Sequence, residues 1–90
     1  MDRYLVEVPH DSDKAACLAA IKIFTESGSH YLTHADWGCE DGVHDAWLIV
    51  DAASHKEARL VAPAQYRDKS RVTRVKRYDW VDGDEPHAVH

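Results

Sequence analysis

Hydrophobic and polar residues follow two spacings along the chain, and the shorter one marks four strands. Residues 3–8 are rich in β-branched and aromatic side chains and stop at Pro9, which predicts a first strand. Residues 30–37, 44–52 and 71–80 have the same character, with side chains that alternate between two faces. They are predicted as strands two, three and four.

The longer spacing predicts two helices between these strands. From residue 11 onward, apolar side chains recur every three or four positions, which is typical of an amphipathic helix that ends at Gly28. Ser54 and Glu57 have the spacing of a capping box, so a second helix is expected to begin there. Pro63 is expected to end or kink it.

The resulting order of elements, βαββαβ, predicts an α+β fold. Two βαβ halves with right-handed crossovers form a ferredoxin-like sandwich, whose antiparallel sheet has the strand order 4-1-3-2. Residues 1–80 are expected to form this one domain, and the acidic residues 81–90 a flexible tail. Both helices cover one face of the sheet. The other face is open, and two such faces packed together would form a dimeric α+β barrel.

Composition narrows the class of protein. Ninety residues bury only roughly 60–65% of the surface of the unfolded chain, so a homodimer would add needed burial. The net charge of −5 argues against a nucleic-acid-binding protein, which needs basic surface. No apolar run approaches the roughly 20 residues that span a bilayer, and the first residues lack a secretory pattern. Two cysteines make no disulfide framework, so the expected location is the cytoplasm, with no membrane partner.

The predicted topology brings several ligand-type side chains together. Strands one and two run parallel, and strand three returns between them. The ends of strands one and two and the start of strand three therefore share one edge of the sheet. The residues at these places are His10, His34, Asp36, Cys39 and His44. Imidazole, thiolate and carboxylate ligands suit a transition metal such as nickel, copper or zinc. We expect a metal site at this edge, with His34, Cys39 and His44 as preferred ligands and His10 or Asp36 completing it.

The predicted second strand also decides which residues can act together. On a strand, four residues span about 13 Å, so His30 and His34 are too far apart to share an ion, whereas on a helix they would be neighbours. The register of the following hairpin is less constrained. Pairing Ala35 with Ala46 and His34 with Trp47 keeps the polar side chains on the open face, and a bulged loop would mix the two faces.

Four large side chains near the same edge are candidates for a ligand pocket. Trp37 and Trp47 flank the edge and are able to line a pocket for an organic molecule, or else to fill the core or a dimer interface. Arg67 and Arg71 precede or begin strand four, where a cation would hold a carboxylate. The basic segment around them is otherwise typical of a protected edge strand. Cys17, on the apolar stripe of the first helix, is expected in the core.

The order of elements and the central segment GSHYLTHADWGCEDGVHDAW resemble known small proteins. The pattern is similar to the small dimeric α+β-barrel proteins of the ferredoxin-like class, including short bacterial proteins of unknown function with such a centre. Through its length and the stretch GSHYLTHADW, the chain also resembles a family of small ferredoxin-like nickel-binding proteins. This resemblance implies a homodimer and a nickel ion held near the histidine-bearing second strand.

Three functions follow from these observations. The leading hypothesis is a small binding protein for a transition metal, without enzymatic activity. The second is a small cofactor-independent enzyme of the dimeric α+β-barrel class, in which His34 or His44 is the general base and Asp36 orients it. The third is an interaction module whose open sheet face binds another protein. Convergent ligands would favour the first hypothesis and a deep apolar cleft the second.

Overall fold

A computed structural model describes residues 1–79 and 87–89 of the chain. The helices and strands are, in chain order, β1 (Asp2–Pro9), α1 (Lys14–Glu26), α2 (His30–Thr33), β2 (Asp36–Trp37), β3 (Asp45–Ala52), α3 (His55–Arg59), β4 (Arg71–Val75), β5 (Arg77–Asp79) and β6 (His87–Val89). Two 3₁₀ turns, Cys39–Asp41 and Ala64–Lys69, lie between β2 and β3 and between α3 and β4. Among the described residues, no helix has the length and apolar character needed to cross a bilayer.

The main sheet has four antiparallel strands in the order β2-β3-β1-β4, which confirms the predicted strand order. β1 pairs with β3 along its whole length and with β4 on its other side. Because β1 and β3 are the central strands, their inward-facing side chains form most of the core. These buried residues are Tyr4, Val6, Val8, Ala46, Leu48, Val50 and Ala52.

The first helix covers this face of the sheet, as its apolar stripe predicts. It begins after Asp13, whose side chain accepts a hydrogen bond from the Ala16 amide at 2.7 Å. Its buried residues, Cys17, Ala20 and Phe24, recur at intervals of three and four. The core location expected for Cys17 is therefore confirmed.

The predicted second strand is wrong over most of its length. Gly28, with φ of 75°, follows the end of α1 in the left-handed conformation that favours glycine. The Ser29 side chain then accepts a hydrogen bond from the Leu32 amide and caps a new helical turn, α2. Leu32 is buried in the core from this turn. The sequence GSHYLT thus carries a stop and an N-cap, and these local signals outweigh the β-propensity of its aromatic and β-branched residues.

The remaining two-residue strand pairs in a different register from the one predicted. Ala46 and Trp47 lie opposite Trp37 and Asp36, two residues later along the chain than expected. Because side chains alternate with a period of two, this displacement leaves each side chain of β2 and β3 on its expected face. Asp36 and Trp47 are therefore on the face opposite the core.

The helix predicted after strand three is α3, and it begins where the capping box predicts. The Ser54 side chain accepts a hydrogen bond from the Glu57 amide at 3.1 Å. After α3, the Arg67 guanidinium donates hydrogen bonds to the carbonyls of Leu60 and Ala62, groups that the end of a short helix leaves without partners.

The predicted fourth strand divides in two. β4 ends at Val75, which pairs with Arg3 near the start of β1, so the sheet offers little further partner strand. After Lys76 the chain forms β5, which pairs with β6 in a separate two-stranded sheet. The expected flexible tail falls outside the described residues except for 87–89, and its flexibility stays a prediction.

Candidate metal centre

The end of β1 and the start of β3 bring two histidines together. Pro9 and Asp45 form the last pair of the β1–β3 ladder, and one residue further the His10 amide donates a hydrogen bond to the His44 carbonyl at 3.0 Å. The two imidazole rings lie with centroids 5.7 Å apart and planes nearly perpendicular. Their proximity follows from the backbone of the sheet rather than from the choice of side-chain conformation.

A short hydrogen-bonded loop places Cys39 beside these histidines. The Gly38 amide donates to the Asp45 carbonyl at 3.1 Å, and the Val43 amide donates back to the Gly38 carbonyl at 3.0 Å. Cys39 begins the 3₁₀ turn within this loop, and Gly42 ends the turn with φ of 78°. The loop therefore fixes the position of Cys39 relative to the first residue of β3.

Gly38 allows a close contact on which this loop depends. A Cβ atom at this position would lie 2.7 Å from the Trp47 ring and 2.8 Å from the Val43 carbonyl oxygen. Its φ of −98° is accessible to any residue, so steric contact and not backbone conformation excludes a side chain here. Trp47 therefore packs directly against the backbone that carries Cys39.

The side chains of His10, Cys39 and His44 form a cluster that could hold a metal ion. One ligand atom from each residue lies within 4.8 Å of the other two. The Nε2 of His10 and the Sγ of Cys39 are 3.2 Å apart. In a tetrahedral zinc site, with Zn–N of about 2.0–2.1 Å and Zn–S of about 2.3 Å, neighbouring ligand atoms are roughly 3.3–3.6 Å apart. The three groups therefore need to move by only about 1 Å to surround one ion.

Two ring nitrogens of this cluster are buried without a hydrogen-bond partner. They are Nδ1 of His10 and Nδ1 of His44, and no other side-chain nitrogen or oxygen of the described residues is in this state. An unsatisfied buried polar atom costs about 1–3 kcal/mol, so nearly all such atoms in native proteins are bound to protein, water or an ion. These imidazoles are thus available as ligands.

Burial and neighbouring groups shift two pKa values in the cluster. Burial lowers the pKa of His10 from its usual 6.5, and the charge of His44 lowers it further, against a weaker opposing effect of nearby carboxylates. Burial also raises the pKa of the Cys39 thiol to about 11, with a further contribution from the neighbouring Cys17 thiol. At pH 7 the cluster without a metal therefore holds a neutral imidazole at His10 and a protonated thiol at Cys39.

The structure does not bring His34 and Asp36 into this cluster. His34 follows α2 directly, where its Nδ1 donates a hydrogen bond to the His30 carbonyl at 2.8 Å. His34 and Asp36 line a separate cleft of about 440 Å³ that also includes His30 and Trp47. His10, rather than His34, accompanies Cys39 and His44, and a ligand role for His34 or Asp36 stays a prediction.

Because α2 is helical, His30 and His34 lie close together, whereas an extended strand would keep them about 13 Å apart. Their ring centroids are 4.3 Å apart, because residues four apart on a helix lie on the same side. Both side chains are exposed. They form a second histidine group on the surface, which the strand prediction excluded.

The two tryptophans lie in different environments on opposite faces of the sheet. Trp37 packs against Phe24 at 4.7 Å between ring centroids and against His10 at 5.7 Å, so it lies between the core and the candidate metal centre. Trp47 lines the cleft on the other face. The two indoles therefore do not line one common pocket.

Of the two arginines expected near the edge, Arg67 is bound to other groups and Arg71 lies on β4. Arg67 binds the carbonyl groups that follow α3, and Arg71 lies opposite Glu7 in the β1–β4 pair. Lys69 instead lines a cavity of about 330 Å³ next to His10. A cation therefore does adjoin the centre, but from the 3₁₀ turn before β4. A role for Arg67 or Arg71 in holding a ligand stays a prediction.

Sequence reasoning missed the position of Cys17 next to the centre. Cys17 lies in the first turn of α1 and is 8% exposed, and its thiol is a neighbour of Cys39. The signal that could locate it is the short connection from His10 to the start of α1, because that connection keeps the first helical turn at the same edge of the sheet.

The comparisons with known proteins add no family to this description. No protein-family model matches the chain, and neither the curated proteins nor the solved structures include a match.

Proposed function

We propose that the protein binds one transition-metal ion through His10, Cys39 and His44. The observation that carries this proposal is the convergence of three ligand atoms within 4.8 Å, from residues far apart in the sequence. The Nδ1 atoms of His10 and His44 support it, because both are buried and neither has a hydrogen-bond partner among the described residues.

The chemistry of the three ligands favours particular metals. Two imidazoles and one thiolate suit zinc, copper or nickel, whereas magnesium and calcium prefer oxygen ligands. Since the pKa of the Cys39 thiol is about 11 without a metal, binding at pH 7 replaces the thiol proton and releases it to solvent. Metal affinity is therefore expected to rise with pH below that value.

Titration calorimetry on the metal-free protein tests the proposal directly. Zinc, nickel and copper are titrated separately, with magnesium as the control metal. We expect one ion per chain, with proton release seen as a dependence of the heat on buffer ionisation enthalpy. Binding no tighter than about 1 mM for all three metals, or equal binding of magnesium, would contradict the proposal.

We also propose that the protein forms a homodimer, as its resemblance to ferredoxin-like dimers implies. We propose that two copies pack through the sheet face that carries Leu5, Trp47 and Ile49. Ile49 is 43% exposed on that face, and a chain of this size gains stability from such burial. Analytical ultracentrifugation checks this, and a monomer at about 100 μM would contradict it. Nickel is among the metals tested because the chain resembles a family of small ferredoxin-like proteins that bind nickel.

Two free thiols, one of them at the proposed centre, favour a reducing compartment. Cys17 and Cys39 are both free. We therefore propose a cytoplasmic location, where thiols stay reduced, and no nucleic-acid partner for a chain of charge −5. Recovery of the protein from a secreted or membrane fraction would contradict the location.

One observation favours a second candidate function, the cofactor-independent enzyme. His34, Asp36 and Trp47 line the cleft of about 440 Å³, a volume within the range of small-molecule sites. In this function His34 is the general base. NMR titration with a library of small organic acids tests it, because binding in the cleft shifts the imidazole resonances of His34 but not those of His44. No shift at His34 with any compound would remove this candidate.

A further inference from the structure

A cavity of about 330 Å³ adjoins the proposed metal centre on the side of the 3₁₀ turn before β4. His10 belongs to both, because it lines the cavity and is one of the three proposed metal ligands. The other lining residues come from the end of β1 and from the turn, and they are Pro9, Asp11, Gln65, Tyr66 and Lys69. Small-molecule sites have volumes of about 300–1,000 Å³, so this cavity fits a molecule of few atoms.

The 3₁₀ turn Ala64–Lys69 gives the cavity one anchored wall. Tyr66 and Lys69 are three residues apart, and a 3₁₀ helix has three residues per turn, so both side chains project to the same side. The Tyr66 carbonyl accepts a hydrogen bond at 2.9 Å from the hydroxyl of Ser70, which is buried. The Tyr66 ring also packs edge-on against the buried Phe24 ring, at 6.2 Å between centroids. The turn therefore holds this wall in place from the core side.

The charges around the cavity favour a small anion. Lys69 makes no ion pair with any described residue. A divalent ion with two neutral imidazoles and one thiolate adds a net charge of +1 at the His10 edge, and a partly buried charge is unfavourable without a counter-charge. Asp11 contributes the opposite charge to the lining, so it suits a hydrogen-bond donor on the same molecule.

We propose that this cavity binds a small carboxylate with a hydroxyl or amino group on the adjacent carbon, and that the bound metal strengthens this binding. The Lys69 ammonium and the Tyr66 hydroxyl donate hydrogen bonds to the carboxylate, and Asp11 accepts one from the hydroxyl or amino group. This inference rests on the proposed function and names the ligand class of the same centre. Three protein ligands also leave one position of a tetrahedral ion for an exchangeable group.

Titration of the full chain with lactate, followed by NMR, tests the inference, with propionate as the matched acid that lacks the hydroxyl group. Zinc content is measured before any acid is added, so a protein that retains no zinc reveals failure of the proposed function separately. On the zinc-loaded protein, we expect lactate to shift the amide resonances of Tyr66 and Lys69 and to bind about tenfold tighter than propionate. Lactate should bind the metal-free protein about fivefold more weakly. Equal lactate affinity with and without zinc would overturn the inference.

A pair of charge-removing variants provides the second test. Lys69→Gln should weaken lactate binding to the zinc-loaded protein about tenfold, because the hydrogen bond to the carboxylate loses its charge. Lys22→Gln is the matched control, since Lys22 is an exposed lysine of α1 that does not line the cavity. Its lactate affinity should stay within about twofold of wild type. Both lysines are exposed, so both variants are expected to fold, and circular dichroism checks this. Equal lactate affinity in the two variants would overturn the inference.

Discussion

Two groups of histidines in this protein share residue types but differ in how they are assembled. His10 and His44 meet with Cys39 through the pairing of β1 with β3, and they are partly buried with ring nitrogens lacking partners. His30 and His34 meet through one helical turn, are exposed, and His34 is bound to a backbone carbonyl. The first group has two buried ring nitrogens without hydrogen-bond partners, and the second is exposed to water. Proximity of imidazoles alone therefore does not identify a metal centre.

The largest expected effect separates these two groups by metal affinity. Replacing both His10 and His44 with alanine should weaken zinc binding by at least about 100-fold, since loss of even an outer-shell partner costs 10–100-fold. In the matched variant, His30 and His34 are replaced by alanine, which likewise removes two imidazoles but from the surface group. We expect its affinity to stay within about threefold of wild type. Calorimetry measures both, and an equal loss in the two variants would show that the comparison is wrong.

The next effect concerns stability with bound metal. A metal at 100 times its dissociation constant stabilises the folded state by about 2.7 kcal/mol, provided that the unfolded chain does not bind it. For a domain of this size, the melting temperature should rise on the order of 10–20 °C. Thermal unfolding followed by circular dichroism, with and without zinc, checks this. The variant lacking His10 and His44 should show no such rise, whereas the variant lacking His30 and His34 should retain it.

A smaller effect is expected at the contact between Gly38, which precedes Cys39, and Trp47, which lines the cleft with His30 and His34. Gly38→Ala forces a methyl group against the Trp47 ring and the Val43 carbonyl, and such overpacking costs about 1–3 kcal/mol of the free energy of unfolding. Because Gly38 precedes Cys39, the substitution should also weaken metal binding. Denaturant unfolding and calorimetry measure the two effects.

Gly28→Ala is the matched control for this substitution. Gly28 has φ of 75° and no atoms near the position of an added Cβ, so alanine there is strained by about 1–2 kcal/mol through its backbone alone. Its metal affinity should be unchanged. If Gly38→Ala binds metal as tightly as Gly28→Ala does, the loop does not position Cys39 as described.

The smallest expected effect is a pH dependence of the metal-free protein. Burial lowers the pKa of His10 in the folded state, so the unfolded chain binds more protons once the pH falls through the usual value of 6.5. The free energy of unfolding should therefore be fully retained above that pH and decrease below it. Replacing His10 with asparagine should flatten this slope, while replacing the exposed His34 should preserve it. Equal slopes in both variants, measured by urea unfolding at several pH values, would contradict the burial of His10.

The accuracy of the sequence predictions depended on the range of the interactions involved. The strand order and the buried stripe of α1 follow from side-chain periodicity and connection rules, and both were predicted correctly. The prediction of strand two is wrong because Gly28 and Ser29 end one helix and cap another, and these local signals outweigh the β-propensity of the segment. That error separated His34 from His30, since the distance between residues four apart depends on whether the backbone is extended or helical.

The sequence by itself determined the sheet and therefore the meeting of strands one and three, which places His10 and His44 near each other. It also determined that Cys39 lies in the loop before His44. Only the tertiary structure decided which of five candidate ligands come within reach of one another, and that Cys17 adjoins them from α1. The physical reason is that a strand pattern fixes residue order and face over several residues. A metal centre instead requires the ligand atoms to lie within about 1 Å of the positions that one ion needs. Those positions depend on loop conformation and packing.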